Sequence, residues 1–427
     1  MLTKSMTVKN NELYLQNHSL IEIAMRYQTP LFVYDEESIV NQINFIKNHF
    51  TSKTIQTKII YASKAFLCKY MVKLVQANDL LIDVVSMGEA HIVFSAGFNP
   101  KNVVFHGNNK SDAELKYAIE KGIGLVVVDN LLELVKLQEF ASASNKKVNT
   151  LLRVNPGIEA HTHEYVQTSL LSSKFGESIF DQLKLQSIMS QYQKSTHVDL
   201  VGFHIHIGSQ ITSDEPYKKA VGVMMDFSKK IQQEYGIQVT TINFGGGFGI
   251  RYTEADPEYD LGELLKSMVQ EVEILNKQNN VGISIIMIEP GRVIIGPNGV
   301  TLYQTSQIKN TFGGKNYCFI DGGMADNIRP ALYQAKYTIK VADQYVATNE
   351  IKVDVVGKCC ESGDIIAKDV MLPSNTHEDI VVVFATGAYG YSMSSNYNGL
   401  PRPAVVFVQK DQINVAIERE TLEYITK

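Results

Sequence analysis

The sequence predicts an α/β protein: a closed (β/α)8 TIM-like barrel followed by a mostly-β domain. Three observations predict it. Eight apolar, β-branched runs alternate with helical segments between residues 58 and 291. Continuous apolar strands of this kind belong to a parallel sheet covered on both faces, and eight units favour closure over an open sheet. Polar residues gather at the carboxyl ends of the runs, where barrels carry their sites. After about residue 298 strand-like runs follow one another without long helices between them.

The eight runs are Lys58–Ala65, Leu80–Ser86, Asn102–Asn108, Gly124–Asn130, Asn149–Asn155, Val201–Gly208, Thr240–Gly247 and Ile285–Gly291. A helix is expected over Glu36–His49 before the first run, and others over Lys69–Asn78, Asp112–Lys121, Leu131–Ser144 and Leu261–Asn276. The second domain is expected to use Tyr337–Val341, Glu350–Val356, Asp379–Ala385 and Val405–Gln409 as strands. The expected domains are an N-terminal segment 1–30 that joins the β domain, a barrel over 31–297, and a β domain over 298–427.

With 427 residues the chain is long enough for two domains. A net charge of −5 gives no support to a nucleic-acid or anionic-membrane partner. The first 16 residues lack the apolar core of a signal peptide, and no apolar run approaches a membrane span. The four cysteines, Cys68, Cys318, Cys359 and Cys360, are spaced for neither a disulfide framework nor a zinc site. A cytoplasmic protein with reduced thiols is expected.

Lys64 ends the first run. Strand alternation would put Ile60, Ala62 and Lys64 on one face, with the amine among small apolar neighbours. Desolvation lowers an amine's pKa and raises its nucleophilic fraction, which suits Schiff-base formation with a carbonyl. The plain alternative is a surface lysine. The glycine run Asn243–Gly249 follows an apolar strand, where consecutive glycines let backbone N–H groups approach an anion; it reads as a phosphate cradle or as a tight turn. Glu289-Pro290-Gly291-Arg292 offers a carboxylate for a cationic heterocyclic nitrogen, or a salt bridge closing the barrel. His204 and His206 have the spacing of a metal pair in barrel hydrolases, while the Gly208-Ser209 that follows suits a flat ligand stacked on a ring. His161 and His163 share that spacing in an expected loop. In the second domain Cys360 and Glu361 read either as a solvated acidic turn or as a thiol acid beside a recognition carboxylate.

Taken together, these stretches resemble the fold-type III pyridoxal-phosphate-dependent decarboxylases over nearly the whole chain, from Thr29–Asp35 to Arg402–Ala404. The matching segments include Tyr61–Phe66, Asp83–Glu89, His106–Lys110, Arg153–Gly157, His204–Gln210, Gly245–Gly249, Glu289–Arg292, Ile328–Tyr333, Cys360–Asp364 and Gly387–Gly390. The resemblance implies an alanine racemase-like fold and pyridoxal 5'-phosphate as cofactor. It implies that Lys64 holds the cofactor, His206 stacks on its ring, and Glu289 keeps its ring nitrogen protonated. Ser209, Gly247, Pro290, Gly291, Arg292 and Tyr389 would surround the cofactor. Arg292, Arg329, Tyr333 and Tyr389 would hold substrate polar groups. It further implies a homodimer with shared sites, in which Cys360, as proton donor, and Glu361, as reader of the distal end, come from the partner.

The expected reaction is decarboxylation of meso-2,6-diaminopimelate to L-lysine. A relative acting on ornithine, arginine or another basic amino acid is the alternative; the ornithine-type relatives usually carry aspartate where this chain has Glu361. A metal-dependent hydrolase using His204 and His206 is a further alternative. The chain departs from the family pattern at Met87 and Phe66 and, mildly, over Asp321-Gly322-Gly323-Met324, none of which removes a proposed catalytic group.

Overall fold

The computed structural model describes residues 2–158 and 173–426. All eight runs form strands: β1 (Gln56–Tyr61), β2 (Leu81–Val84), β3 (Val103–Phe105), β4 (Leu125–Val128), β5 (Val148–Asn155), β6 (Val198–His204), β7 (Thr241–Asn243) and β8 (Ile285–Ile288). Each pairs in parallel with its sequence neighbour, and β8 pairs with β1, so the sheet closes on itself. Closure removes both sheet edges. Ile60, Val104, Val127, Leu151 and Met287 from five of these strands form one interior cluster, each at most 2% exposed.

The helices between strands obey local chemistry. Asp112–Lys121 opens on a capping box in which Ser111 and Glu114 satisfy each other's backbone N–H groups. It ends on Gly122 at φ 68°, a left-handed conformation that glycine adopts without steric cost. Leu261–Asn279 opens on the Asp260 side chain, which accepts from Glu263 N.

The chain divides into two compact units. The barrel unit is Ile43–Gly249 with Tyr259–Gly291; the other comprises the residues up to Gln42, Ile250–Glu258, and those from Arg292 onward. These borders differ from those expected at 30/31 and 297/298. The barrel expected over 31–297 includes Leu31–Asp35, which forms a strand. In the structure that strand instead pairs antiparallel with Gly299–Leu302 and parallel with Ala404–Val408. Local rhythm shows that a strand exists, but long-range pairing decides which sheet it enters.

The β-rich unit orders its main sheet as Ile365–Pro373, Glu350–Val356, Asn316–Ile320, Gly299–Asn310, Leu31–Asp35, Ala404–Gln409 and Gln412–Ile417. Ile380–Val383 pairs with both Gly299–Asn310 and Ile339–Val341. The N-terminal residues form a separate three-stranded sheet. Its Leu13 and Leu15 pack with Leu31, Val33, Val300, Val382 and Val406 in one core cluster.

Candidate active site

Every barrel strand delivers a chemistry-bearing residue at or just past its carboxyl end: Lys64 after β1, Asp83 in β2, His106 after β3, Asp129 after β4, Arg153 in β5, His204 ending β6, Asn243 ending β7 and Glu289 after β8. Glu289 is 8% exposed and is the hub. Its Oε1 lies 2.8 Å from His106 Nε2 and accepts from Asn243 Nδ2 at 2.7 Å. His204 Nε2 lies 3.4 Å from Oε2, and the His204 ring meets the His106 ring edge-on at 4.8 Å.

Burial opposes a charge on Glu289, but the His106 and His204 side chains outweigh it and hold the carboxyl well below its ordinary range. Burial drives His204 down to about 4, against the pull of Glu289, so its imidazole is neutral at pH 7. The site therefore presents a carboxylate that stays ionised. Three donors of this kind, His106, His204 and Glu289, bring their ligand atoms within 4.8 Å of one another, the group among the described residues with metal-site composition. The pair that the sequence offered as an alternative metal site, His204 with His206, is not that group. His206 is turned to the glycine loop instead, where its Nδ1 accepts from Gly246 N at 3.3 Å. Burial and then Lys64, Arg153 and His204 hold His206 well below its usual value.

Lys64 corrects one sequence inference. The extended run stops at Tyr61, and Ser63–Ala65 forms a single 3-10 turn, so strand alternation does not reach the lysine. Its side chain is exposed rather than desolvated among Ile60 and Ala62. One neighbour in its field is buried Asp83, whose Oδ1 accepts from Ser63 N at 2.6 Å. Burial and Glu289 raise Asp83 to about 6, with His106 and Lys64 acting against the rise.

The glycine loop is tightly packed on backbone. A Cβ on Gly245 would lie 2.4 Å from Ile205 O, and one on Gly246 2.1 Å from Glu289 O. Gly247, at φ +100°, would place a Cβ 2.2 Å from Gly208 O. The Gly245, Gly246 and Gly249 N–H groups donate to Asn243 Oδ1, His206 Nδ1 and Ile211 O. Among the described residues no protein acceptor meets the N–H of Gly247 or Phe248. Ser209 is half-buried in the neighbouring turn, and Pro290 and Gly291 are buried beside β1, where Ala62 N donates to Pro290 O. A glycine loop with free amides, an ionised carboxylate for a cationic ring nitrogen and an exposed lysine together fit pyridoxal phosphate.

The β-rich unit carries a second constellation. Tyr252 Oη accepts from Arg292 Nη1 and, at 3.1 Å, from Arg329 Nη1, which also reaches Tyr337 Oη at 2.7 Å. The Arg292 guanidinium lies 4.7 Å from the Tyr389 ring centroid, and that of Arg329 5.7 Å from it and 6.0 Å from the Tyr333 ring. The structure thus gathers Arg292, Arg329, Tyr333 and Tyr389 as the sequence suggested, and adds Tyr252 and Tyr337. Burial would raise the Tyr252 phenol, yet the two guanidinium groups pull it below its ordinary value. Two buried cations sharing one phenol oxygen are suited to receive an anionic group such as a carboxylate.

Cys360 and Glu361 lie exposed in the loop between Glu350–Val356 and Ile365–Pro373. Buried Asp364 ties that loop, accepting from Cys359 N at 2.8 Å and Met324 N at 2.6 Å, while Cys360 N donates to Asn398 Oδ1 at 2.8 Å. His161 and His163 lie outside the described residues.

Sequence reasoning passed over Asp83, Tyr252, Tyr337 and the linking role of Asn243. Asp83 carries a local signal, an acid inside an apolar strand. Tyr252 carries none, because both its partners are remote in sequence.

The comparisons with known proteins agree with this geometry. A family model described as "Pyridoxal-dependent decarboxylase, pyridoxal binding domain" matches residues 36–296. The chain is 42% identical over 424 residues to a diaminopimelate decarboxylase of Staphylococcus aureus, covering 98% of this chain and 99% of that protein. It is 41% identical over 405 residues to a diaminopimelate decarboxylase of Bacillus subtilis, covering 95% and 92%. The crystal structure of a diaminopimelate decarboxylase from M. jannaschii in complex with L-lysine superimposes with a TM-score of 0.90 at 30% identity, covering 100% of this chain and 98% of that one.

Proposed function

We propose that this chain, which belongs to the diaminopimelate decarboxylase family of pyridoxal-dependent decarboxylases, converts meso-2,6-diaminopimelate to L-lysine and carbon dioxide. When bound, pyridoxal phosphate supplies an electron sink for the pair left by the departing carboxyl group. The observation that carries the reading is Glu289, a buried carboxylate kept ionised and turned by two donors on one oxygen. Such a group stabilises a protonated ring nitrogen, as this chemistry requires.

The remaining residues take roles from their chemistry. Lys64 provides the amine that holds the cofactor and afterwards frees the product. His206, tied to Gly246, offers a neutral ring face for stacking. Ser209 and the Gly247 N–H serve the phosphate, and Pro290 with Gly291 shapes the wall beside Ala62. Arg292, Arg329, Tyr333 and Tyr389 hold substrate polar groups, with a carboxylate taken by the guanidinium pair. Cys360 delivers the proton that replaces the carboxyl group, and Glu361 pairs with the distal ammonium. We place Cys360 and Glu361 in the site of the second subunit of a homodimer. No helix among the described residues is long and apolar enough to cross a membrane, which supports a cytoplasmic setting for a biosynthetic enzyme.

A panel of basic and diamino acids, with product chirality resolved, tests the reading. The expected result is the highest kcat/KM for the meso diamino diacid and L-lysine as product. Faster turnover of ornithine or arginine would overturn it.

A further inference from the structure

We propose that Asn243 is a positioning residue that ties the two ends of the cofactor site to each other, an inference that rests on Glu289 facing the ring nitrogen and the glycine loop facing the phosphate. One planar amide makes both connections. Its Nδ2 donates to Glu289 Oε1 at 2.7 Å, and its Oδ1 accepts from Gly245 N at 2.9 Å. The residue is fully buried, so neither bond is traded with water.

Both the origin and the targets of this tie are rigid. Asn243 is the last residue of β7 and pairs with His204 on one side and Met287 on the other. Its carbonyl accepts from Ile205 N, and the next residue donates to Met287 O. Gly245, at φ +69°, runs so close to β6 that an added Cβ would lie 2.4 Å from Ile205 O. Glu289 N donates to Gly245 O at 2.8 Å, which fixes the two main chains against each other. That backbone bond leaves the Glu289 carboxylate free to rotate. Asn243, with His106 on the same oxygen, fixes the rotation and refers it to the loop. Oε1 thereby takes both donors, while Oε2 has His204 Nε2 beside it at 3.4 Å and faces the ring nitrogen in this reading.

The task needs one donor and one acceptor in a plane, which asparagine has and an ionised aspartate lacks. The charged and titratable groups around Glu289 are His106 beyond β3, His204 from β6 with His206 just past it, Arg153 from β5 and Asp83 from β2, with Lys64 beyond β1 acting on Asp83 and His206. A second carboxyl placed at position 243 would face an already ionised Glu289. It would take up the proton, with a raised pKa. In its protonated form it can again donate to Glu289 while accepting from Gly245.

The experiment removes the cofactor from purified holoenzyme and titrates pyridoxal phosphate back, reading its dissociation constant by absorbance from pH 6 to 8.5. Asn243→Ala should weaken binding roughly ten- to a hundredfold at every pH, the effect of two buried bonds of which one is to a charge. For Asn243→Asp, the ratio of its dissociation constant to that of the wild type should be large at high pH and fall severalfold toward pH 6, as the introduced carboxyl regains its proton. Dividing by the wild type at each pH cancels the titration of Asp83. A ratio flat with pH, or Asn243→Ala binding like the wild type, overturns the proposal. Should Asn243→Ala fail to fold, the pH dependence of Asn243→Asp decides alone. Glu289→Gln, run in parallel, tests the underlying reading: an unchanged holoenzyme absorbance would remove Glu289 from the ring nitrogen, a failure distinct from that of Asn243.

Discussion

Substituting Glu133 by leucine should destabilise the barrel far more than a surface charge change would. Lys110 Nζ donates to Glu133 Oε1 at 2.7 Å, Gly107 O at 2.8 Å and Val127 O at 2.6 Å. The two side chains are 1% and 4% exposed, so the pair is desolvated. Removing one partner of a buried pair leaves an uncompensated charge and costs about 3–5 kcal/mol. For a barrel of this size that is about 6–20 °C in the melting transition, read by scanning calorimetry. The pH dependence gives the sign. Burial already lowers the Lys110 pKa against the pull of Glu133, and without Glu133 it falls further. The folded state then binds fewer protons than the unfolded one, so the deficit of Glu133→Leu should shrink as pH rises toward the ordinary lysine range. Adding Lys110→Met should restore part of the loss but not all, because the Gly107 and Val127 carbonyls lose their donor. Since Gly107 follows His106, activity should fall with the single change even well below the melting point. A melting shift under about 2 °C, or a deficit that grows with pH, would refute this account.

Lys64→Ala should abolish turnover, and borohydride treatment of the wild type should leave the cofactor covalently on Lys64 in a peptide map; an adduct on another lysine would reassign the role. Glu289→Gln should retain cofactor yet lower the single-turnover rate by about one to two orders of magnitude, the loss of one charge-assisted contact; an unchanged rate with cofactor bound counts against it. Glu361→Ala should reduce kcat/KM for diaminopimelate more than for short basic amino acids, and equal losses would remove it from recognition. Lys64→Ala and Cys360→Ala proteins, mixed so that subunits exchange, should recover roughly a quarter of wild-type activity if sites are shared in a two-fold dimer; verified heterodimers no more active than their parents would rule that out.

The barrel was legible because its strands are continuous apolar runs, a pattern that follows from burial on both faces. The ends of those runs were less so. Strand alternation does not extend to Lys64, because past Tyr61 the backbone has already turned into Ser63–Ala65. Leu31–Asp35 falls inside the barrel expected over 31–297 but enters the other sheet, since its partners lie far along the chain. In the site, glycine runs and strand-end acids announce themselves by type. Tyr252 and Asn243 do not: a tyrosine between two arginines and an amide between a carboxylate and a glycine exist only after folding.

The strand Leu31–Asp35 has a consequence for how the chain is made. It leaves the ribosome well before its two partners, Gly299–Leu302 and Ala404–Val408. All eight barrel strands lie between those dates, within residues 56–288. At translation rates of about 5–20 residues per second, one edge of this early strand waits tens of seconds for its last neighbour. The barrel can close during that interval, while the β-rich unit cannot. A chain released before Ala404 would therefore carry a finished barrel and a hydrophobic strand with an open edge, the form most prone to pair with another chain.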